Sequence, residues 1–291
     1  LRGTLFLNRV TVTECHARSD PNAYAGEYSV GGVKANLLAM NDSTISNSSF
    51  TAYYETNTAA GGGAWAGEAV LINSTITGNR ATALVETTDF NPYLTGGGGI
   101  YSPGNLVVIN STISGNTVEV TNPGENGVGG GIFVRGTATI LGSTISGNTT
   151  DGDGGGLYKR GSPDLFDHGT TATIENSTIA GNVAGGVGGA LVSQRPVLLA
   201  NSTIAENDSG AGGAVMFHYS YQLGYSATLW LDLESAIIAG NSAGPSPMYA
   251  VDLASDSVLT ATGANSLVMD AAASIALPPD TLRSDPLLLP L

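Results

Sequence analysis

Charged residues are scarce in this chain, and positively charged ones are the scarcest. Of its 291 residues, 10 are Lys or Arg and 24 are Asp or Glu, which gives a formal net charge of −14 at pH 7. A protein with this balance repels nucleic-acid phosphates and anionic lipid headgroups. The composition therefore predicts no nucleic-acid partner and disfavours binding to anionic membranes.

Cysteine and long apolar runs are almost absent as well. Cys15 is the single cysteine, so the chain cannot form an internal disulfide. Because it falls where later repeats carry Asn, we expect it to be a buried structural thiol. No apolar stretch reaches the roughly 18 residues of a membrane-spanning helix, which predicts no transmembrane segment. The chain opens without an initiator Met or a signal peptide, so we expect flanking regions of a longer protein to be missing.

Glycine is abundant, with 41 residues, and a seven-residue motif recurs along most of the chain. Its clearest copy is Asn-Ser-Thr-Ile-Ser-Gly-Asn at residues 110–116. We call the apolar residue at its centre the anchor; the anchors are Val12, Ile45, Ile76, Ile113, Ile145, Ile179, Ile204 and Ile238. A fixed motif at variable spacing predicts one supersecondary unit that is repeated with connecting loops of different lengths.

Each copy of the motif has the pattern of a short strand that ends in a turn. Ser111 and Ile113 alternate with Thr112, so the first two are predicted to face one side and Thr112 the other. Gly and Asn then favour a left-handed turn. Stacked copies would align a set of Asn side chains into a hydrogen-bonded ladder of the kind that stabilises stacked β-structure, namely Asn79, Asn116, Asn148, Asn182, Asn207 and Asn241.

A second motif, a run of glycines followed by an apolar and often an aromatic residue, precedes the later anchors. It reads Gly-Gly-Gly-Gly-Ile-Tyr at residues 96–101, and similar strings occupy residues 129–133 and 154–158. A third apolar run lies between this motif and the anchor. Each repeat is therefore predicted to hold about three short strands, which are too few to enclose a core unless the copies stack.

These patterns predict an all-β fold, a right-handed parallel β-helix (solenoid) of about eight or nine rungs with loop insertions. The right hand follows from the rule for parallel crossover connections. We expect one domain over residues 1–291, with an irregular terminal rung and tail at about 242–291.

The two motifs resemble those of right-handed parallel β-helix repeat proteins of the bacterial secreted and cell-surface type, over roughly residues 5–270. The tail at residues 285–291, Asp-Pro-Leu-Leu-Leu-Pro-Leu, is similar to a segment that often follows the last coil in such proteins. The resemblance implies an extracellular or cell-surface location and a role as a rigid stalk with a polysaccharide-binding or adhesive surface. It does not fix the function, because the same fold also hosts lyases and hydrolases.

The few basic residues cluster at equivalent positions of successive repeats. Arg135, Arg160, Gln194 and His218 each lie three residues past the apolar residue of the glycine motif, and we call these four the basic row. Their neighbours include Lys159 and Arg195, and the loops 159–170 and 217–228 add His168, Tyr219 and Tyr221. Guanidinium groups bind carboxylates or sulfates, so this set predicts a site for an acidic polysaccharide or cell-surface glycan. The alternative is a solvated face on which these charges balance Asp164 and Asp167.

Two further chemical roles are open at this stage. An acidic-polysaccharide lyase needs a base and a group that neutralises the uronate carboxylate, for which His168, His218, Tyr219 and Arg195 are candidates. Asp151 and Asp153 resemble part of a calcium loop, although two carboxylates are too few for a complete site and a Gly-Asp corner explains them as well. No other cofactor is indicated.

Overall fold

The computed structural model describes residues 3–19, 30–53, 60–84, 95–121, 127–161, 170–218, 229–244, 252–256 and 258–286. Every regular element in these ranges is a β-strand. The strands fall into stacks that we number columns 1 to 4 in the order in which the chain visits them within one rung. The protein is a parallel β-helix, as the repeats predict.

Columns 1 and 2 form one large sheet. Two long strands, Val33–Asn41 and Ala64–Ile72, run through both columns. Column 1 continues with Ile100–Ser102, Ile132–Val134, Leu157–Lys159, Leu191–Ser193, Val215–Phe217 and Leu253–Ser255. The other strands of column 2 are Thr4–Asn8, Leu106–Ile109, Ala138–Leu141, Ala172–Glu175, Val197–Ala200, Trp230–Glu234, Leu259–Ala264 and Ile275–Ala276.

Columns 3 and 4 are separate sheets of nine and eight strands. Column 3 consists of Thr11–Thr13, Thr44–Ser46, Thr75–Thr77, Thr112–Ser114, Thr144–Ser146, Thr178–Ala180, Thr203–Ala205, Ile237–Ile238 and Leu267–Val268. Column 4 consists of His16–Arg18, Ser49–Tyr53, Arg80–Leu84, Thr117–Val120, Thr149–Thr150, Val183–Ala184, Asp208–Ser209 and Ser242–Ala243. A fourth, two-stranded sheet pairs Thr95–Gly96 with Gly127–Val128.

The anchors stack in register through the whole of column 3. Each pairs in parallel with the next, from Val12 with Ile45 to Ile204 with Ile238. Val268 extends the stack as a ninth anchor that the motif search did not identify. From Ile45 onward the anchors are buried in one continuous apolar core. This confirms the predicted pairing and the inward direction of the anchor side chains.

The Asn residues form the predicted ladder at the corner between columns 3 and 4. The Nδ2 of each Asn donates to the Oδ1 of the Asn in the next rung at 2.9–3.0 Å, from Asn79 through Asn241. The same Oδ1 also accepts the backbone N–H of the preceding Asn. Asn47 is one residue short of this register and adopts the left-handed turn (φ 51°), while Ser48 lies at the ladder position.

A second ladder, which the sequence analysis did not predict, lies at the corner between columns 2 and 3. The Ser that precedes each Thr of the motif accepts the backbone N–H of its counterpart one rung earlier, with distances of 3.0–3.2 Å. Its hydroxyl donates to the carbonyl two residues before it. Asn110 (φ 47°) and Gly115 (φ 61°) supply the left-handed turns on either side. Both corner residues of the motif, Ser111 and Asn116, therefore form ladders between rungs.

The glycine run is required because three chain segments approach closely at its position. Gly129 adopts a left-handed conformation (φ 64°) that turns the chain into column 1. A Cβ on Gly131 would lie 2.7 Å from the carbonyl oxygen of Gly156 and 2.9 Å from the side-chain amide of Asn148. Any larger residue would displace the Asn ladder or the next rung.

The aromatic residues that follow the glycine run lie on the outer face of column 1, yet they are buried. Tyr101 stacks on Phe133 with ring centroids 4.7 Å apart, and Phe133 meets Tyr158 edge to face at 5.7 Å. Val128, from the two-stranded sheet, packs against the same cluster. These rings are therefore core residues rather than a surface for a ligand.

Three details differ from the sequence-based expectation. A rung contains four strands rather than three, because the chain after the ladder Asn forms column 4. Cys15 is only partly buried, since it lies in the first described rung, which no earlier described rung covers. The Asn ladder ends on the carboxylate of Asp252, whose Oδ1 accepts the Nδ2 of Asn241 at 2.8 Å while its Oδ2 accepts the backbone N–H of Asp270 at 2.9 Å.

Candidate functional site

The basic row is aligned by the backbone hydrogen bonds that lead out of column 1. The backbone N–H of Arg160 donates to the carbonyl of Val134, that of Gln194 to Lys159, and that of His218 to Ser193, at 2.9–3.0 Å. The same bond joins the N–H of Arg135 to the carbonyl of Ser102. Arg135, Arg160, Gln194 and His218 therefore occupy equivalent positions of four successive rungs.

Asp256 extends the basic row by one rung and was missed by the sequence analysis. Its backbone N–H donates to the carbonyl of Phe217, which is the bond that the other members of the row make. The sequence signal was present, because Asp256 lies three residues past the column 1 residue Leu253. No glycine run precedes Leu253, so the search for that motif passed over this rung.

Gln194 is the most buried member of the row and links two neighbouring rungs. Its Nε2 donates to the hydroxyl of Tyr158 at 3.1 Å, and its Oε1 accepts the backbone N–H of Gly161 at 3.1 Å. Burial raises the pKa of the Tyr158 phenol, which keeps it in its neutral form. Gln194 therefore holds the backbone beside Arg160 in place, and its amide is already committed to protein partners.

Lys159 is fully buried and points into the β-helix rather than onto the surface. Alternation within the strand Leu157–Lys159 requires this direction, because Leu157 also faces the core. Its Nζ donates to the carbonyls of Arg135 and Arg160, both at 2.9 Å, and to the hydroxyl of Thr170 at 3.3 Å. The ammonium thus ties together the backbones of two row members and adds a positive charge beneath them.

Arg195 lies beside the row, in the same rung as Gln194, and is partly buried. Its guanidinium packs on the backbone of Gly161, where a Cβ would come within 2.8 Å of the guanidinium carbon. Gly161 follows Arg160 directly, so the side chain of Arg195 extends toward the rung of Arg160. A side chain at position 161 would have to displace this guanidinium.

His218 and Asp256 form a close pair at the end of the row. The Nδ1 of His218 is 2.9 Å from the Oδ2 of Asp256, and the two side chains are 48% and 20% exposed. This contact fixes the orientation of the imidazole ring through Nδ1. The other ring nitrogen, Nε2, takes no part in the contact. A carboxylate that holds Nδ1 in this way is the arrangement that orients a histidine for proton transfer.

The proposed calcium ligands Asp151 and Asp153 accept hydrogen bonds from the backbone amides of different chain segments. Asp151 accepts the backbone N–H groups of Val120 and Gly127, and Asp153 accepts that of Val187 at 3.0 Å. Burial raises the pKa of both carboxyls, against the opposing effect of these amide bonds. Among the residues that the structure describes, no group of three or more His, Cys, Asp or Glu side chains could hold a metal ion.

Three predicted site residues, His168, Tyr219 and Tyr221, lie outside the described residues. Of the remaining candidates, the structure aligns Arg135, Arg160, Gln194 and His218, places Arg195 next to them, and buries Lys159 below.

The described part of the chain contains no helix of the length and apolar character needed to cross a membrane.

Comparisons of the chain with protein-family models, with curated proteins and with solved structures gave no match.

Proposed function

We propose that this chain is an extracellular β-helix repeat domain of a surface protein, a rigid stalk whose basic row binds an acidic polysaccharide or cell-surface glycan. One observation carries the proposal. Arg135, Arg160, Gln194 and His218 align in one row on a protein with a net charge of −14. A positive strip on an otherwise acidic surface attracts an anionic chain to that strip and repels it elsewhere.

The chemistry of the row suits carboxylates or sulfates. Arginine presents planar, bidentate donors that match these groups, and it stays charged at all relevant pH values. Lys159 contributes through its field rather than by contact, because its ammonium is enclosed by carbonyl groups.

The stacked architecture supports the stalk role. Nine rungs in column 3 give eight spacings, or a rod of about 40 Å at the usual distance of about 4.8 Å between paired strands. The extracellular location is supported by the low Lys content and by the resemblance to surface β-helix repeats.

Binding to polygalacturonate at low and high salt tests the proposal. The double substitution Arg160→Ala with Arg195→Ala should weaken binding several-fold at low salt, because two of the few cations at or beside the row are lost. The matched control is Arg9→Ala with Arg80→Ala, which removes the same charge from other faces, where these residues lie near Asp42 and Glu119. Equal binding by both double variants would refute the proposal, as would no binding by the wild-type protein.

A second candidate function, an acidic-polysaccharide lyase, is favoured by the contact between His218 and Asp256. A base at this position would remove the proton from the carbon that bears the uronate carboxylate. The electron pair of that C–H bond forms a C=C bond to the neighbouring carbon as its bond to the glycosidic oxygen breaks, and this oxygen takes a proton from water. The test is the ultraviolet absorbance of the unsaturated product during incubation with polygalacturonate. Product formation that is lost in His218→Ala supports the lyase, and binding without product refutes it.

A further inference from the structure

We propose that the basic row takes a short stretch of a homopolyuronate, a polysaccharide with one carboxylate on every sugar, and that Asp256 marks the end of the site. This inference rests on the proposed function, because it specifies the ligand of the same row.

Three consecutive rungs carry an arginine at or next to the row. Arg135 and Arg160 occupy the row itself, and Arg195 follows Gln194 in the third rung. With rungs about 4.8 Å apart, the backbone positions that carry the three guanidinium groups span only about 10 Å along the axis. Lys159 adds a fourth positive charge directly beneath this stretch.

Such a dense group of cations selects a ligand with dense negative charge. A polymer with a carboxylate on every sugar places more anionic groups within this length than one with a carboxylate on every second sugar. Coulomb attraction between exposed charges falls steeply with distance and is screened within about 10 Å at ordinary salt. Carboxylates that lie beyond the arginines therefore add little to binding.

Among the described residues, no Lys or Arg continues the arginine stretch at either end of the row. Before Arg135, the aligned residue is Pro103, since Ser102 pairs with Val134 in column 1. After Gln194 come His218 and then Asp256, whose carboxylate is partly exposed and directed at the imidazole. A ligand carboxylate placed beside Asp256 would meet a like charge. The site therefore has an unfavourable end and accommodates about three to four sugars, if each sugar advances by about one rung.

Oligogalacturonates of increasing length, from the dimer to the octamer, test this limit by calorimetry at about 0.1 M salt, where charges are screened within about 10 Å. The affinity should rise to the trimer or tetramer and then level off. Hyaluronan fragments with the same number of sugars, which carry a carboxylate on every second sugar, should bind several-fold more weakly. An affinity that keeps rising to the octamer, or equal affinity for hyaluronan fragments, would overturn the inference.

The substitution Asp256→Asn tests the end of the site. The amide keeps an oxygen that can accept from His218 but removes the charge, so the octamer should bind several-fold more tightly and the levelling-off should move to longer chains. The matched control is Asp232→Asn, which removes the same charge from the outer face of column 2. An Asp256→Asn variant that behaves like the control would overturn the inference. If neither oligomers nor the polymer bind, the proposed function fails as well, whereas binding without a length limit contradicts only this inference.

Discussion

Two parts of each rung differ in how much their residues vary from one repeat to the next: the stretch around column 3 and the stretch that follows column 1. Around column 3, nearly every rung repeats the same side chains: a Ser at one corner, an anchor in the core and an Asn at the other corner. Beyond column 1, aligned positions hold Arg, Gln, His and Asp in turn. Around column 3, the choice of residue is constrained by contacts within the protein. Beyond column 1, the residues differ in charge from rung to rung.

The reason for this difference lies in the number of partners that each position serves. A ladder Asn bonds to the rung before it and to the rung after it, so a change in one rung leaves unpaired groups in its neighbours. Row residues are aligned by backbone hydrogen bonds, which any residue except Pro can donate. Gln194 and His218 also contact a neighbouring rung through their side chains, but these contacts are not repeated along the row. The β-helix can therefore vary the row at a smaller cost to the fold than the ladder.

The largest effect is expected for Asn148→Ala in the middle of the ladder. The backbone N–H and the Nδ2 of Asn116 both donate to Asn148 Oδ1, so two buried donors would lose their acceptor. At about 1–3 kcal/mol for each unsatisfied group, the loss of unfolding free energy should be about 2–6 kcal/mol. Denaturant unfolding measures it, with the adjacent exposed Thr149→Ala as control. Similar losses in the two variants would show that the ladder is not what stabilises this corner.

Ile145→Ala should cost about 2–5 kcal/mol, because it removes a fully buried anchor from a packed column. Thr144→Ala, one residue earlier on the outer face of the same strand, should cost well under half as much. The comparison uses chemical denaturation of both variants. Equal costs would contradict the inward direction of the anchors.

The end of the ladder should make stability depend on pH through Asp252. Burial raises the pKa of this carboxyl above its ordinary value of 3.8, although amide hydrogen bonds from Asn241 and Asp270 oppose the shift. The folded state then binds the proton more tightly than the unfolded state, so the contribution of Asp252 to stability falls as the pH rises above that value.

Unfolding of the wild-type protein and of Asp252→Asn from acidic to neutral pH measures this contribution, because other carboxyls cancel in the difference. The difference in unfolding free energy should shift in favour of the variant as the pH rises. A difference that stays constant, or that shifts the other way, would contradict the raised pKa.

The smallest effect on stability is expected at the basic row. Arg160→Ala should change the unfolding free energy by no more than about 0.5 kcal/mol, as surface substitutions usually do, which corresponds to a shift of about 1–2 °C in the melting temperature. Differential scanning calorimetry checks it. A drop of many degrees would mean that the row is part of the stabilising framework.

The repeats alone were sufficient to predict the parallel β-helix, the anchor column and the Asn ladder, because each is expressed as a fixed residue at a fixed place in a short motif. The alignment of the row also followed from counting residues past column 1. The inward direction of Lys159 was accessible from strand alternation with Leu157, although a charged residue on an inner face departs from the usual pattern.

Other features could not be predicted from the motifs. Ser111 was expected to face the same side as the anchor Ile113, but nothing in its local pattern shows that its hydroxyl accepts an amide from the previous rung. Asp252 and Asp256 belong to a rung without the glycine run, so their contacts with Asn241 and His218 depend on how the last rungs stack. Those contacts are set by three-dimensional register rather than by a local pattern.

The most direct test compares two variants at successive corners of the chain, Asn148→Ala and Arg160→Ala, for both melting temperature and polygalacturonate binding at low salt. The division between a stabilising stretch around column 3 and a binding stretch that follows column 1 predicts opposite results. Asn148→Ala should lower the melting temperature by many degrees and, below that temperature, bind like the wild-type protein. Arg160→Ala should melt like the wild-type protein and bind more weakly. Weak binding in both, or a melting temperature that falls equally in both, would contradict the account.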